Sequence, residues 1–303
     1  MSEAFQGLVA SGDGQRHATV PVWRNIVIQL AMIIALCLLL LVVSEALSLK
    51  PEDDVSRVLT AVLLLFAPGV WLAVAVAPEA QSTWPRHRLI GVAVLSALSA
   101  AAIGLPLVQD FFRLDEWLPL ETVFRRILGF ALTAGVVDAG LKLLVLRFTI
   151  YPNELRMRSD AVAYCLASAV GYSFYLNIAI VLQLQPSLAI AANYVLANLA
   201  IQFASAMFIA LGITESYFGN AMPLVLPTNV IAAAATSGLI APVFTGIMSG
   251  PLSTAGNQDR PLFGILFLIA AICLTGAVTY FLYSTSERRE REAFVSSRES
   301  DGL

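Results

Sequence analysis

Charge is the scarcest ingredient of this chain. Only 13% of its 303 residues are charged, where soluble domains run near a quarter. With 58% hydrophobic residues and a mean hydropathy of +0.79, this composition predicts an all-α polytopic membrane protein and leaves no room for a separate soluble domain. The net charge of -3 comes with no basic block, so nothing points to nucleic acid. Histidine is nearly absent. The only two, His17 and His87, fall in polar connections, which argues against an imidazole-based metal or catalytic site within the helices. The three cysteines, Cys37, Cys165 and Cys273, lie in apolar runs at unpaired spacings, which supports neither a disulfide framework nor a metal motif. No metal and no cofactor are expected.

What is present is a series of long apolar runs. Residues 1–25 are polar and form a short N-terminal segment without a small-residue cleavage site. The first run, about 26–47, is too long for a signal-peptide core and reads as a spanning helix. Further spans are expected at about 58–77, 89–107, 121–148, 161–184, 188–213, 224–247 and 262–283. The bundle of eight then occupies 26–284, and a charged, serine-bearing tail occupies 285–303. The third span is rich in Ala, Ser and Gly, which favours close helix contact and an interior place. Residues 109–119 mix aromatics with charges and suit the membrane surface. The seventh span carries Pro227 and Pro242, expected to break it, since proline removes a backbone donor.

Eight spans put both termini on one side. Eleven of the eighteen Lys and Arg residues fall in the connections on that side, six on the other, and Lys142 lies within a span. The bias predicts cytoplasmic termini, and the chain reads as an integral protein of a bacterial inner membrane, with the lipid bilayer as its first partner.

The hairpin from about 121 to 184 is where the sequence concentrates its unusual features. Asp138 and Lys142 are two charges within one apolar helix, each worth roughly 2.5–3.5 kcal/mol against insertion at bilayer depth. Their i, i+4 spacing lets them pair. They read either as a self-neutralised pair that fixes helix packing or as a polar site facing a cavity. Ala131, Gly135 and Ala139 form a small-residue stripe beside them. The next helix carries Asp160, Tyr164, Tyr172 and Asn177, and the one after it Asn198, Gln202 and Ser205 at i, i+4 and i+7. Thr228 and Asn229 follow on the seventh span. Asp138, Lys142, Tyr164, Tyr172, Asn177, Asn198, Gln202, Thr228 and Asn229 are the candidate cavity or binding residues.

An acid and a lysine four apart, a short loop, an Asp opening the next helix with a Tyr four residues on, then Gly171-Tyr172-Ser173-Phe174-Tyr175-Leu176-Asn177, resembles the PrsW-type intramembrane proteases, relatives of the CAAX-processing membrane proteases. The resemblance covers about 121–250. That family has Glu-Glu-x-x-Lys on the fourth helix, Phe-x-x-x-Glu followed by Asn on the fifth, and histidines on later helices. Here the two glutamates fall on Asp138 and Ala139, the lysine on Lys142, the phenylalanine on Tyr172, the second-motif glutamate on Leu176 and its neighbour on Asn177. The resemblance therefore implies a catalytically inactive relative, a pseudoprotease acting as a membrane-embedded binding scaffold for a transmembrane protein partner or as a subunit of a larger membrane complex. Two alternatives stay open. One is an intramembrane protease with an altered centre built from Asp138, Lys142, Asp160 and Asn177; the other is a small-molecule transporter, disfavoured because no internal repeat is evident.

Overall fold

The computed structural model describes residues 88–118, 121–150, 154–155, 158–183, 188–218, 224–248 and 266–278, with isolated positions between 31 and 69, at 264 and between 280 and 285. Every element among the described residues is helical. Six are named here: α1 (Leu89–Phe111), α2 (Val123–Thr149), α3 (Arg158–Gln183), α4 (Leu188–Phe218), α5 (Val225–Met248) and α6 (Leu266–Val278). The first five are long and apolar enough to cross a membrane, because about 20 residues at about 1.5 Å each span the hydrocarbon. The described part of α6 is shorter. The expected spans at 26–47 and 58–77 lie mostly outside the described residues, as do the segment 1–25 and all of the tail 285–303 except Thr285.

α4 is the centre of the bundle. Of its most apolar stretch 83% is buried, against 33% for α1 and for α2. A helix that is apolar on all sides gains from protein around it, and α4 packs against α3 on one side and α5 on the other. Its Phe203 also reaches Gly276 of α6. The hairpin formed by α2 and α3, where the sequence concentrates its unusual features, packs against this helix.

α1 is not interior as its composition suggested. Its small residues recur on one face, and there Leu89, Val92, Ala93, Ser96, Ala100 and Gly104 are buried, while Ile90, Val94 and Leu98 are exposed on the other. The buried face crosses α3 at very close range. A Cβ on Gly171 would collide with the Ala93 backbone, and Ser96 and Ser168 share a hydrogen bond of 2.7 Å at the same crossing. Without side chains between them, the two helices gain dispersion contacts along their backbones. α2 meets α5 in the same way. A Cβ on Gly135 would stand 2.5 Å from Ala234 O, and Gly238 packs directly onto Ala131. The stripe of Ala131, Gly135 and Ala139 thus marks a helix contact, with Ala139 fully buried.

α1 ends where Arg113 takes a left-handed conformation, φ 48 and ψ 48. A single turn, Leu114–Trp117, follows, and Trp117 Nε1 donates to Phe112 O at 2.9 Å. The Trp117 ring sits over Gly129 of α2, where a Cβ would come within 2.7 Å of it. Phe111 and Phe124 are exposed at this end. α5 is continuous, contrary to the break expected at its prolines. Pro227 is the third residue of the helix, where an N–H has no intrahelical acceptor to lose. Pro242 lies inside it, near the far end, and the helix runs on for another six residues to Met248.

Candidate functional site

Asp138 and Lys142 sit just past the midpoint of α2, after a widened turn at Ala131–Gly135. Turns of this i→i+5 kind are found disproportionately at functional sites. Lys142 Nζ donates to Asp138 Oδ2 at 2.9 Å, and both side chains are buried, at 1% and 9% exposed. The Tyr172 ring lies beside the ammonium, 5.4 Å from centroid to Nζ. That contact adds a face of negative charge density to the cation's surroundings. Asp138 Oδ1 is buried and has no hydrogen-bond partner among the described residues.

Three helices meet around the pair. Ala100 of α1, Leu141 of α2 and Tyr172 of α3 form one small apolar cluster, with Val137, Tyr175 and Leu176 against it. Gly104 makes room for the Tyr172 hydroxyl, which stands 2.6 Å from where a Cβ would be. Leu176, at the position where the resemblance would have a glutamate, is part of this apolar packing. Cys165 of α3 is buried in the main apolar core.

The other candidates are distributed differently. Tyr164 belongs to the main apolar core around α4. Asp160 is buried in the first turn of α3, where an acid is favoured by the helix dipole. Tyr172 lies twelve residues further on, about 18 Å along the helix axis, so Asp160 and Asp138 do not form a pair of carboxylates sharing one reaction centre.

Asn177 and Asn198 are brought together. Asn198 Nδ2 donates to Asn177 Oδ1 at 2.5 Å, and Asn177 Nδ2 donates to Leu64 O at 2.9 Å. This chain of bonds ties α4 to α3 and α3 to the segment containing Leu64, which is interhelical glue rather than a ligand site. Gln202 is buried in the next turn of α4. Thr228 and Asn229 each bond back to Val225 O in the first turn of α5, at 2.9 Å. Thr228 is exposed, and the Asn229 side chain packs against Gly212 of α4. Neither is joined to the Asp138–Lys142 pair.

Ion pairs close one end of the bundle. Arg88, at the start of α1, donates to Thr149 O at 2.7 Å and pairs with Glu154 at 3.2 Å. Arg158 pairs with Glu215 at 2.9 Å, joining the start of α3 to the end of α4. Nothing in the sequence names a partner for Glu215. The structure gives it a partly buried partner, and only the fold, which returns residue 215 to residue 158, reveals it.

Among the described residues no group of three or more His, Cys, Asp or Glu side chains is placed to hold a metal ion. Comparison with known proteins returns no match: no family model, no curated protein and no solved structure corresponds to this chain. What stands is an all-helical integral membrane protein with a buried, internally bonded ion pair at the junction of α1, α2 and α3.

Proposed function

We propose that this protein is a non-catalytic membrane-embedded scaffold, or a subunit of a larger membrane complex, with a PrsW-like helix arrangement that has lost its reactive centre. The observation that carries the reading is the closure of the Asp138–Lys142 pair. Lys142 is spent on Asp138 and on the Tyr172 ring, both within the protein. Asp138 Oδ2 is bonded to Lys142 one turn away, so that oxygen is engaged within the helix rather than open to a substrate or an attacking water. Its neighbours are apolar, with Leu141 in the packing beside it and Leu176 where the resemblance would have a glutamate. The pair is a self-neutralised packing element of α2 that meets α3 through the Tyr172 ring, and the bundle presents its outer surface to lipid and to a transmembrane protein partner.

The same reading includes eight spans, a cytoplasmic location for both termini and residence in a bacterial inner membrane, supported by the excess of arginine on one set of connections. The test is gentle purification from the native membrane, followed by mass spectrometry of co-purifying proteins and metal analysis of the same sample. A stoichiometric set of membrane proteins without metal is the expected result. A lone protein carrying zinc, or one bound to truncated membrane peptides, overturns the reading in favour of an altered protease.

A further inference from the structure

α4 turns a polar row toward α3. Asn198 establishes the direction of that face, because its amide donates to Asn177 on α3. Gln202 and Ser205 follow Asn198 at i+4 and i+7, which keeps them on the same side of the helix. Both are buried, at 2% and 0% exposed. Neither Gln202 Oε1 nor Ser205 Oγ has a hydrogen-bond partner among the described residues. Buried polar atoms are almost always satisfied by protein or by ordered water, since leaving them bare forfeits their hydration with nothing in return. Two such atoms within one turn, in the most buried helix of the bundle, call for a shared partner.

We propose that Gln202 and Ser205 form a binding site for an internal water molecule between α4 and α3. One water accepts a hydrogen bond from the Ser205 hydroxyl and donates one to Gln202 Oε1, which meets the two-partner minimum for a buried water. The site extends the Asn198–Asn177–Leu64 chain along the helix interface by two turns. The α3–α4 contact is then held by a hydrogen-bonded file, partly direct and partly through water. This inference is independent of whether the protein is a scaffold or an enzyme.

A cycle of Gln202→Met, Ser205→Ala and the double variant, melted as full-length protein in detergent, tests it. A shared water predicts that each single substitution lowers Tm and that the double variant falls no further than the worse single, because either change removes the same water. If each substitution raises Tm and the two increments add, the atoms are dry orphans and the proposal is wrong. Should a variant fail to fold, X-ray radiolytic labelling of the wild-type protein gives the second measurement. Tightly bound water promotes oxidation of buried side chains next to it, so labelling of the buried peptides around Gln202 and Ser205 is expected. An absence of labelling there contradicts the proposal.

Discussion

Lys142 donates to Asp138 one helical turn earlier, at 2.9 Å, while the Tyr172 ring of the neighbouring helix lies 5.4 Å from the same ammonium. An ion pair within one helix neutralises its own charge before the helix packs, so the middle of α2 enters the bundle without net charge. The stack on Tyr172 then fixes which way that element faces. Position and burial give the pair its weight, because the two side chains are screened from lipid by α1 and α3.

Removing one member of the pair strands the other. Asp138→Leu or Lys142→Met alone is expected to destabilise the bundle by about 3–5 kcal/mol, whereas the double replacement is expected to be nearly neutral. Thermal unfolding of the three variants in detergent checks this. Losses that add, with the double variant falling by the sum of the two singles, would show that the side chains do not act as a pair.

Glycines at helix crossings separate cleanly from those facing open space. Gly171→Ala forces a methyl group into the Ala93 backbone, and Gly135→Ala places one 2.5 Å from Ala234 O. Each is expected to lower Tm by several degrees, as overpacking costs about 1–3 kcal/mol. Gly140 has nothing within 4 Å of an added Cβ, so Gly140→Ala is expected to be neutral or to stabilise by up to about 1 kcal/mol through helix propensity. A Gly171→Ala protein as stable as Gly140→Ala would contradict the α1–α3 crossing.

Asn177 and Asn198 form a bond that a double-mutant cycle can read directly. Asn177→Leu and Asn198→Leu are expected to couple by about 0.6 kcal/mol, the typical value for interhelical hydrogen bonds in membranes. Additive effects, measured as unfolding free energies in detergent, would mean that the two amides do not meet.

The ion pair of Arg158 with Glu215 is partly buried, at 13% and 26% side-chain exposure. Reversing either charge alone places like charges together and is expected to destabilise the end of the bundle. The exchange Arg158→Glu with Glu215→Arg is expected to recover part of the loss. Limited proteolysis of the 150–158 connection gives the readout, with faster cleavage in each single variant than in the exchange. Equal cleavage in all would leave the pair without a role in closing that end.

Helix existence was the most legible feature of the sequence. The runs at 89–107, 121–148, 161–184, 188–213 and 224–247 all correspond to helices, because long apolar segments with few charges have no other stable form at membrane depth. Boundaries shifted by a few residues, most for α4, which continues five residues past the expected end, through Glu215 to Phe218. The Asp138–Lys142 bond was equally readable from i, i+4 spacing alone. Tertiary contacts were not. Ser96 with Ser168 and Asn177 with Asn198 pair across separate helices, and their partners depend on crossing angles that no local pattern encodes. The central place of α4 had a signal in its long stretch without charge from Leu188 to Thr214, yet the two charges of α2 drew the weight. Pro227 misled because a proline's effect depends on where the helix begins, and α5 begins only two residues before it, while Pro242 is taken up inside the helix without ending it.

The central claim of the proposed reading is that the Asp138–Lys142 pair is a self-neutralised packing element rather than a reactive centre. The most direct measurement is to express the double variant Asp138→Leu, Lys142→Met in the native host, then compare its Tm and its co-purifying membrane proteins with those of the wild type. The account predicts a folded double variant with an unchanged set of partners. A double variant that folds as well as the wild type yet loses its partners, or accumulates an uncut membrane protein that the wild type removes, would show that the pair itself performs the function.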